Sequence, residues 1–263
     1  MSFYPIIVAP GCVGETTLYN FPPNNWEDRR NRKACIINLT WSQQDTWHSV
    51  VLDELPFGAI SKYKRSDVSA YVPEDCLPLL SMSLLPFPKF SEILPVSIQG
   101  TNMPNWRATL SLISPYALTS YQGELDPFPL PGSLLTFAPF IQFGKGIENY
   151  MLLLNLEKNP QSRMSVLEIY NSLKPASILG NFPVLNNAVS VICLDGLGFN
   201  QEDLPVIACK GMSGIPLYFS KSVDGTFLSL EHTHPPASYV IHGKRWEAQK
   251  MLKKEWFEKL GKI

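Results

Sequence analysis

The stretch IPLYFSKSVDGTFLSLEH, which runs from Ile215 to His232, predicts a β-hairpin. Polar and apolar residues alternate on both sides of its centre, and a period of two is typical of strands that bury one face. Asp224 and Gly225 lie between the two runs, and glycine favours a turn there because it tolerates a positive φ. In the second strand, Leu228 and His232 should therefore share one face, with Glu231 on the other.

Four further runs predict strands elsewhere in the chain. Each is short and rich in β-branched, aromatic or alternating apolar residues. They lie at residues 35–41, 109–114, 149–156 and 188–194, and for residues 149–156 a helix is the alternative. Short strands of this kind, joined by turn residues, are typical of antiparallel sheets. The predicted fold class is therefore α+β and mainly β, as an antiparallel sandwich or a distorted barrel.

Helix signals are restricted to two segments. Residues 244–262 carry Ala248, Leu252, Trp256 and Leu260 at steps of four, with lysines elsewhere on the helical wheel. This spacing predicts a C-terminal amphipathic helix that Trp256 anchors to the sheet. A second, weaker pattern covers residues 161–173 and predicts another helix, which a following proline would stop.

Proline is dense between residues 72 and 139. Because proline donates no ladder hydrogen bond, the segments 84–88 (LLPFP) and 126–131 (DPFPLP) should be extended loops that wrap a core. Their interleaved Leu and Phe favour burial, although proline-rich segments also dock into aromatic-lined grooves. No repeat divides the chain, so we expect a single domain over residues 1–263, with one candidate boundary near 177–187.

The charge balance excludes one class of partner. The 263 residues carry 22 Lys and Arg against 23 Asp and Glu, for a net charge of -1. Nucleic-acid binding usually needs a surplus of basic residues, so we expect no nucleic-acid partner. Proline or polar residues interrupt every apolar stretch before a membrane-spanning length, so we expect no membrane partner either. A weakly charged, apolar surface instead suits a protein partner or a homo-oligomer.

The cysteines predict the compartment. Their number is odd and no CxxC pair occurs, which is typical of reduced thiols in an intracellular protein. The first ten residues lack the basic region of a signal peptide. We therefore expect a cytoplasmic protein. The five are Cys12, Cys35, Cys76, Cys193 and Cys209.

Three of the four histidines lie within eleven residues, at His232, His234 and His242. Histidine is the commonest metal ligand and titrates near neutral pH. With Glu231 as a carboxylate ligand or acid/base group, the cluster predicts a divalent metal site, such as zinc. The His-x-His pair beside a carboxylate resembles the ligand pattern of cupins over about a dozen residues. The alternative is that these histidines are polar groups near a strand end, bonded to backbone.

A second motif makes Ser213 a candidate nucleophile. The segment 211–216 has the sequence GMSGIP, in which the glycines on either side let the backbone turn tightly around the serine. The segment resembles the nucleophile turn of chymotrypsin-like peptidases, and the resemblance implies an upstream base such as His48. His232 or His234 would be a closer base in sequence. The alternative is a plain Gly-Pro turn that leads into a strand.

Two other polar segments are candidate sites. The apolar strand ending in Asp195-Gly-Leu-Gly resembles the first metal-binding strand of the alkaline phosphatase superfamily, but too few residues follow, so we interpret it as a strand-to-loop turn. The segment 121–126 (YQGELD) suits either a polar turn or a carbohydrate contact. The tryptophans would suit a small-molecule or carbohydrate groove, but tryptophan is ordinarily a core residue. They include Trp26, Trp41, Trp47 and Trp106.

Two functions follow from these residues. The first is a hydrolase-like or metal-assisted enzyme, with Ser213 as nucleophile and with Glu231, His232, His234 and His242 as ligands or acid/base groups. The second is a non-catalytic binding or assembly protein that uses an apolar, proline-rich surface. Titratable groups concentrate near the last hairpin, so we place the enzyme first.

Overall fold

Strands are the main secondary structure of the part of the chain that the structure describes, as the alternating sequence patterns predict. The computed structural model describes residues 3–21, 33–95, 107–122, 132–138, 141–161, 163–200, 202–232 and 245–262. The strands are β1 (Tyr4–Pro5), β2 (Val13–Tyr19), β3 (Cys35–Gln43), β4 (Thr46–Leu55), β5 (Ile60–Lys64), β6 (Leu79–Ser83), β7 (Phe90–Ser91), β8 (Arg107–Ile113), β9 (Leu118–Gln122), β10 (Leu134–Phe137), β11 (Ile147–Leu154), β12 (Met164–Asn171), β13 (Lys174–Leu185), β14 (Val189–Cys193), β15 (Pro205–Cys209), β16 (Ile215–Ser222) and β17 (Leu228–His232). The helices are α1 (Arg65–Val68) and α2 (Arg245–Lys259).

The predicted hairpin is confirmed as β16 and β17, which pair antiparallel with Phe219 opposite Leu230. The turn is fixed by Asp224, whose Oδ1 accepts hydrogen bonds from the Ser222 hydroxyl at 2.6 Å and the Thr226 amide at 3.0 Å. These bonds favour the charged carboxylate and lower the pKa of Asp224 to about 2. The four other predicted runs are confirmed within β3, β8, β11 and β14.

The strands form four sheets, and every pair within them is antiparallel. This confirms the antiparallel, mainly β prediction. We name the sheets by their strand order. Sheet A is β1-β6-β3-β4-β7, sheet B is β5-β2-β8-β9, sheet C is β14-β11-β16-β17 and sheet D is β10-β15-β12-β13.

Sheet C separates two hydrophobic clusters, because alternate residues of a strand point to opposite faces. Leu152 and Phe219 pack on one face, in a cluster that also contains residues of sheets A and B such as Leu39 and Leu110. This cluster therefore draws on both halves of the chain. Met151 and Tyr218 contribute to a second cluster, and residues of sheet D make up most of the rest of it.

The C-terminal helix is confirmed, and it docks through Trp256 and Leu260 as predicted, but not through Leu252. Leu252 is 51% exposed, whereas Phe257 and Leu260 are 7% and 6% exposed and pack with Tyr170 of sheet D. The buried side of α2 thus runs along the three- and four-residue spacing of a helix rather than along steps of four alone. Trp256 supports it with an edge contact to Phe137, at 5.3 Å between ring centroids.

The second predicted helix is wrong, because its residues form β12. Burial alternates there, with Leu167 and Ile169 fully buried and Met164 and Val166 exposed. β12 pairs with both β13 and β15, so sheet contacts on two sides override a weak helical pattern. β13 covers most of the candidate boundary near residues 177–187 as a continuous strand. The single domain stays a prediction.

The proline-rich segment 84–88 and the residue after it lie against sheet A. Phe87 is buried and its amide donates to Asn38 Oδ1 at 2.9 Å, and the Ser49 amide donates to the Lys89 carbonyl at 2.9 Å. Residues 126–131 lie outside the described residues. None of the five cysteines forms a disulfide. No helix in the described ranges combines the length and apolar character needed to cross a membrane.

Candidate active site at the Ser213 turn

The turn that carries Ser213 connects β15 to β16 and is tied to the start of β10. Gly211 adopts a φ of 78°, a left-handed conformation that glycine tolerates. Its amide donates to Ser133 Oγ at 3.0 Å, and the Leu134 amide donates to the Met212 carbonyl at 3.0 Å. Ser213 is therefore held on a turn with fixed backbone rather than on a free loop.

Gly132 lies directly against Ser213. A Cβ atom added to Gly132 would lie 3.1 Å from Ser213 Oγ and 3.2 Å from its Cβ. That separation is tighter than ordinary van der Waals contact, so a side chain at position 132 would displace the serine hydroxyl. Glycine at this position leaves room beside the Ser213 oxygen, which is half-buried.

Lys253 of α2 contacts the segment before β10 that also holds the Ser213 turn. Its Nζ donates a hydrogen bond to the Ser133 carbonyl at 2.8 Å. Within the described ranges it has no carboxylate at ion-pair distance. Burial disfavours the ammonium form and lowers the pKa of Lys253. A lysine that loses its proton more readily than usual thus bonds the carbonyl of Ser133, and Ser133 directly follows the glycine that touches Ser213.

Lys253 was not among the predicted site residues, although the sequence carries a signal for it. It lies three and four residues before Trp256 and Phe257, which are the anchors of α2, so helical spacing places it on the docked side. A lysine on the buried side of a helix is a candidate for a lowered pKa. The predicted steps of four include Leu252, which is exposed, and omit Lys253 and Phe257.

The histidine segment leaves sheet C at the end where the Ser213 turn enters it. His232 is the last residue of β17 and pairs with Leu217, two residues after the start of β16. The side chain of His232, and all of His234 and His242, lie outside the described residues. Glu231 is described and its side chain is exposed. No metal-binding group of three or more His, Cys, Asp or Glu is present among the residues that the structure describes.

His48 is not brought to Ser213. Its ring stacks on Trp41 with centroids 5.4 Å apart and meets the edge of Phe90 at 5.1 Å. These contacts lie on sheet A, whereas Ser213 contacts the start of β10 in sheet D. The base that the chymotrypsin-like resemblance implies therefore belongs to an aromatic stack in another sheet.

Asp195 is used structurally, as the turn interpretation predicts. Its carboxylate accepts hydrogen bonds from the Asn149 amide at 2.9 Å and from Asn149 Nδ2 at 3.1 Å. Gly196 and Gly198 follow with φ of 77° and 74°. Trp41 and Trp47 are buried, while Trp26, Trp106 and residues 123–126 lie outside the described residues.

Comparison of the chain with known families, with curated proteins and with solved structures gave no match.

Proposed function

We propose that the chain is a hydrolase-like enzyme, with Ser213 as nucleophile and Lys253 as its base. The observation that carries the proposal is the position of Lys253. Its amine has a lowered pKa, lacks a carboxylate partner within the described residues, and bonds the carbonyl next to the glycine that touches Ser213. Serine with lysine is one of the known nucleophile and base pairs of acyl transfer.

The chemistry follows from these two groups. Neutral Lys253 takes the proton of Ser213 as Oγ attacks an ester or amide carbonyl carbon. The lysine then gives that proton to the leaving alcohol or amine as the bond to carbon breaks. A water molecule, deprotonated by the same amine, attacks the acyl-serine and releases the acid. The serine regains its proton from Lys253, so that both groups return to their starting state.

A metal-assisted form of the proposal uses the histidines. His232, His234 and His242, with Glu231 as a carboxylate, would hold a divalent ion such as zinc beside the same end of sheet C. The pairing of His232 with Leu217 supports this, because it places the backbone of His232 at the end of sheet C where β16 begins. A bound ion there would polarise the substrate carbonyl.

The alternative is a binding or assembly protein, and one surface favours it. On sheet D, Met164 pairs with Leu185 and Val166 pairs with Pro183. Met164 and Val166 are exposed, although both are apolar. β13 is also the edge strand of this sheet, so a protein partner or a second copy would find an apolar surface beside unpaired backbone groups.

Two finer points belong to the same proposal. We infer that sheets C and D form the predicted sandwich, since both contribute to one hydrophobic cluster. The proline-rich segments would wrap the core of the protein, and the unpaired thiols favour a cytoplasmic location.

An active-site phosphonate tests the nucleophile. Fluorophosphonates form a stable bond to an activated serine oxygen, with loss of fluoride, and react poorly with ordinary serines. We expect one adduct per chain, located by peptide mass spectrometry at Ser213. Ser177 is an exposed serine of β13 and supplies the internal control. Equal modification of Ser177 and Ser213, or none of Ser213, would exclude the enzyme and leave the binding alternative.

A further inference from the structure

One end of the molecule exposes apolar side chains on four segments that precede or join strands. The segments are residues 8–13 before β2, 114–118 between β8 and β9, 143–146 before β11, and 223–227 between β16 and β17. Their large apolar side chains are between 37% and 77% exposed. We call this set the turn patch, and its members are Val8, Val13, Tyr116, Leu118, Phe143, Val223 and Phe227.

The turn between β16 and β17 contacts two of the other segments. The Ser114 hydroxyl donates to the Gly225 carbonyl at 2.8 Å, and a Cβ added to Gly225 would lie 3.1 Å from Pro115 Cδ. On another side, the Val223 amide donates to the Gly146 carbonyl at 2.8 Å. These contacts place the segments 114–118, 143–146 and 223–227 side by side.

The segment before β2 joins the same end. Val13 pairs with Ile113, and Ile113 pairs with Leu118, so three apolar residues form a row across sheet B. A Cβ added to Gly11 would lie 3.5 Å from Nζ of Lys221, near the end of β16. The turn patch is therefore one connected surface rather than a set of scattered side chains.

The exposure of the turn patch is unusual for a surface that meets only water. Tyr116 and Val223 are 77% and 71% exposed, the highest values among the large apolar side chains that the structure describes. Single exposed apolar residues are common, but a connected group of them marks an interaction surface.

The charges of these segments favour a neutral partner. Lys221 is already used, because its Nζ lies 2.7 Å from Glu148 Oε2. Lys145 and Asp224 are the exposed charges within the four segments, and neither forms an ion pair with a residue in the described ranges. One positive and one negative charge cancel, so the patch offers no attraction to an anionic lipid surface.

A second copy of the chain satisfies both the apolar and the charged groups. In a twofold interface the same surface is used by both subunits, so that residue i contacts residue j and j contacts i. Lys145 of one copy can then face Asp224 of the other, and the reverse, at the rim. The apolar side chains between them form the core that homodimer interfaces typically have.

We infer that the turn patch is the interface of a homodimer, with two Lys145–Asp224 ion pairs across the twofold axis. Ser213 precedes the first residue of β16, whereas the patch follows the last one, Ser222. The eight residues of β16 separate the two by roughly 23 Å, at about 3.3 Å per residue. Dimerisation thus leaves the Ser213 turn open and does not depend on the proposed hydrolase.

Sedimentation equilibrium of the full chain tests the inference, at concentrations from about 1 to about 100 µM. We expect a species of twice the 29.6 kDa chain mass. Val223→Arg puts a charge into the apolar core of the interface once from each copy, so it should raise the dimer Kd by at least about 100-fold. Val166→Arg makes the same change at an exposed position of sheet D and should keep the wild-type Kd.

Three outcomes would overturn the inference. The first is a wild-type chain that stays monomeric up to about 100 µM. The second is a dimer that Val166→Arg weakens as much as Val223→Arg, or more, since the interface would then include sheet D. The third is a monomer that cosediments with phosphatidylcholine vesicles, because the turn patch would then enter a lipid surface.

The ion pairs are tested by conservative substitutions. Asp224→Asn removes the charge and keeps Oδ1 as the acceptor for Ser222 and Thr226, so the turn should be retained. Asp224→Asn and Lys145→Gln should each raise the dimer Kd about fivefold at low salt, and the double variant should be no weaker than either. Losses that add fully would overturn the facing of these two charges across the axis.

Discussion

Replacing Ser213 by alanine should lower kcat/KM for an activated ester such as p-nitrophenyl acetate by at least about 100-fold. The change removes only Oγ, which lies against Gly132 on a turn whose backbone is held by Ser133 and Leu134. Fold and stability should therefore change little. Lys253→Met should cause a similar loss, because the serine then lacks the group that takes its proton.

The losses of kcat/KM caused by Ser213→Ala and Lys253→Met should not be additive. If Ser213 and Lys253 act as one unit, the double variant is about as slow as either single variant. Ser177→Ala removes an exposed hydroxyl of β13 and should retain wild-type hydrolysis. Ester hydrolysis that survives Ser213→Ala unchanged would show that the reaction takes place elsewhere or is a property of surface groups.

Gly14→Ala should destabilise the protein by at least about 3 kcal/mol or prevent folding. A Cβ at position 14 would lie 1.8 Å from the carbonyl oxygen of Ile7 and 2.9 Å from its carbonyl carbon. The obstacle is backbone and cannot rotate away. The segment before β2 is also fixed, since the Thr16 hydroxyl donates to the Pro5 carbonyl at 2.8 Å.

Gly144→Ala is the matched control for this substitution. There the nearest atom to a new Cβ is the side-chain Cγ1 of Ile147 at 3.2 Å, which can move by a few tenths of an ångström. Urea denaturation should give a midpoint near that of the wild type for Gly144→Ala and a much lower midpoint for Gly14→Ala. Equal midpoints would mean that the close approach of Ile7 to β2 is absent in solution.

The sequence was sufficient where one local pattern determined the structure. The β16–β17 hairpin follows from alternation and an Asp-Gly turn, and its pairing needs no distant contact to be predicted. The prediction of a helix over residues 161–173 was wrong. The preference of Ser165, Leu167 and Glu168 for a helix is weaker than the pairing of β12 with β13 and β15. Strand pairing between distant segments is a tertiary effect that a local window does not contain.

At the candidate site, too, the sequence predicted local features but not contacts between distant segments. Glycines around Ser213 were visible in the sequence, but the neighbours of the serine were not. Gly132 comes from 81 residues earlier in the chain, and Lys253 comes from α2. Burial, rather than residue type, makes Lys253 a candidate.

The pH dependence of phosphonate labelling at Ser213 tests the central claim most directly, since it measures the ionisation of the proposed base. The base acts when neutral, and burial lowers the pKa of Lys253. The rate should therefore rise with pH and reach half its maximum below about 10.4, the usual lysine value. Lys253→Arg, which stays charged, should show a low rate without that rise. A wild-type profile that is flat, or that Lys253→Arg reproduces, would contradict the pairing of Ser213 with Lys253.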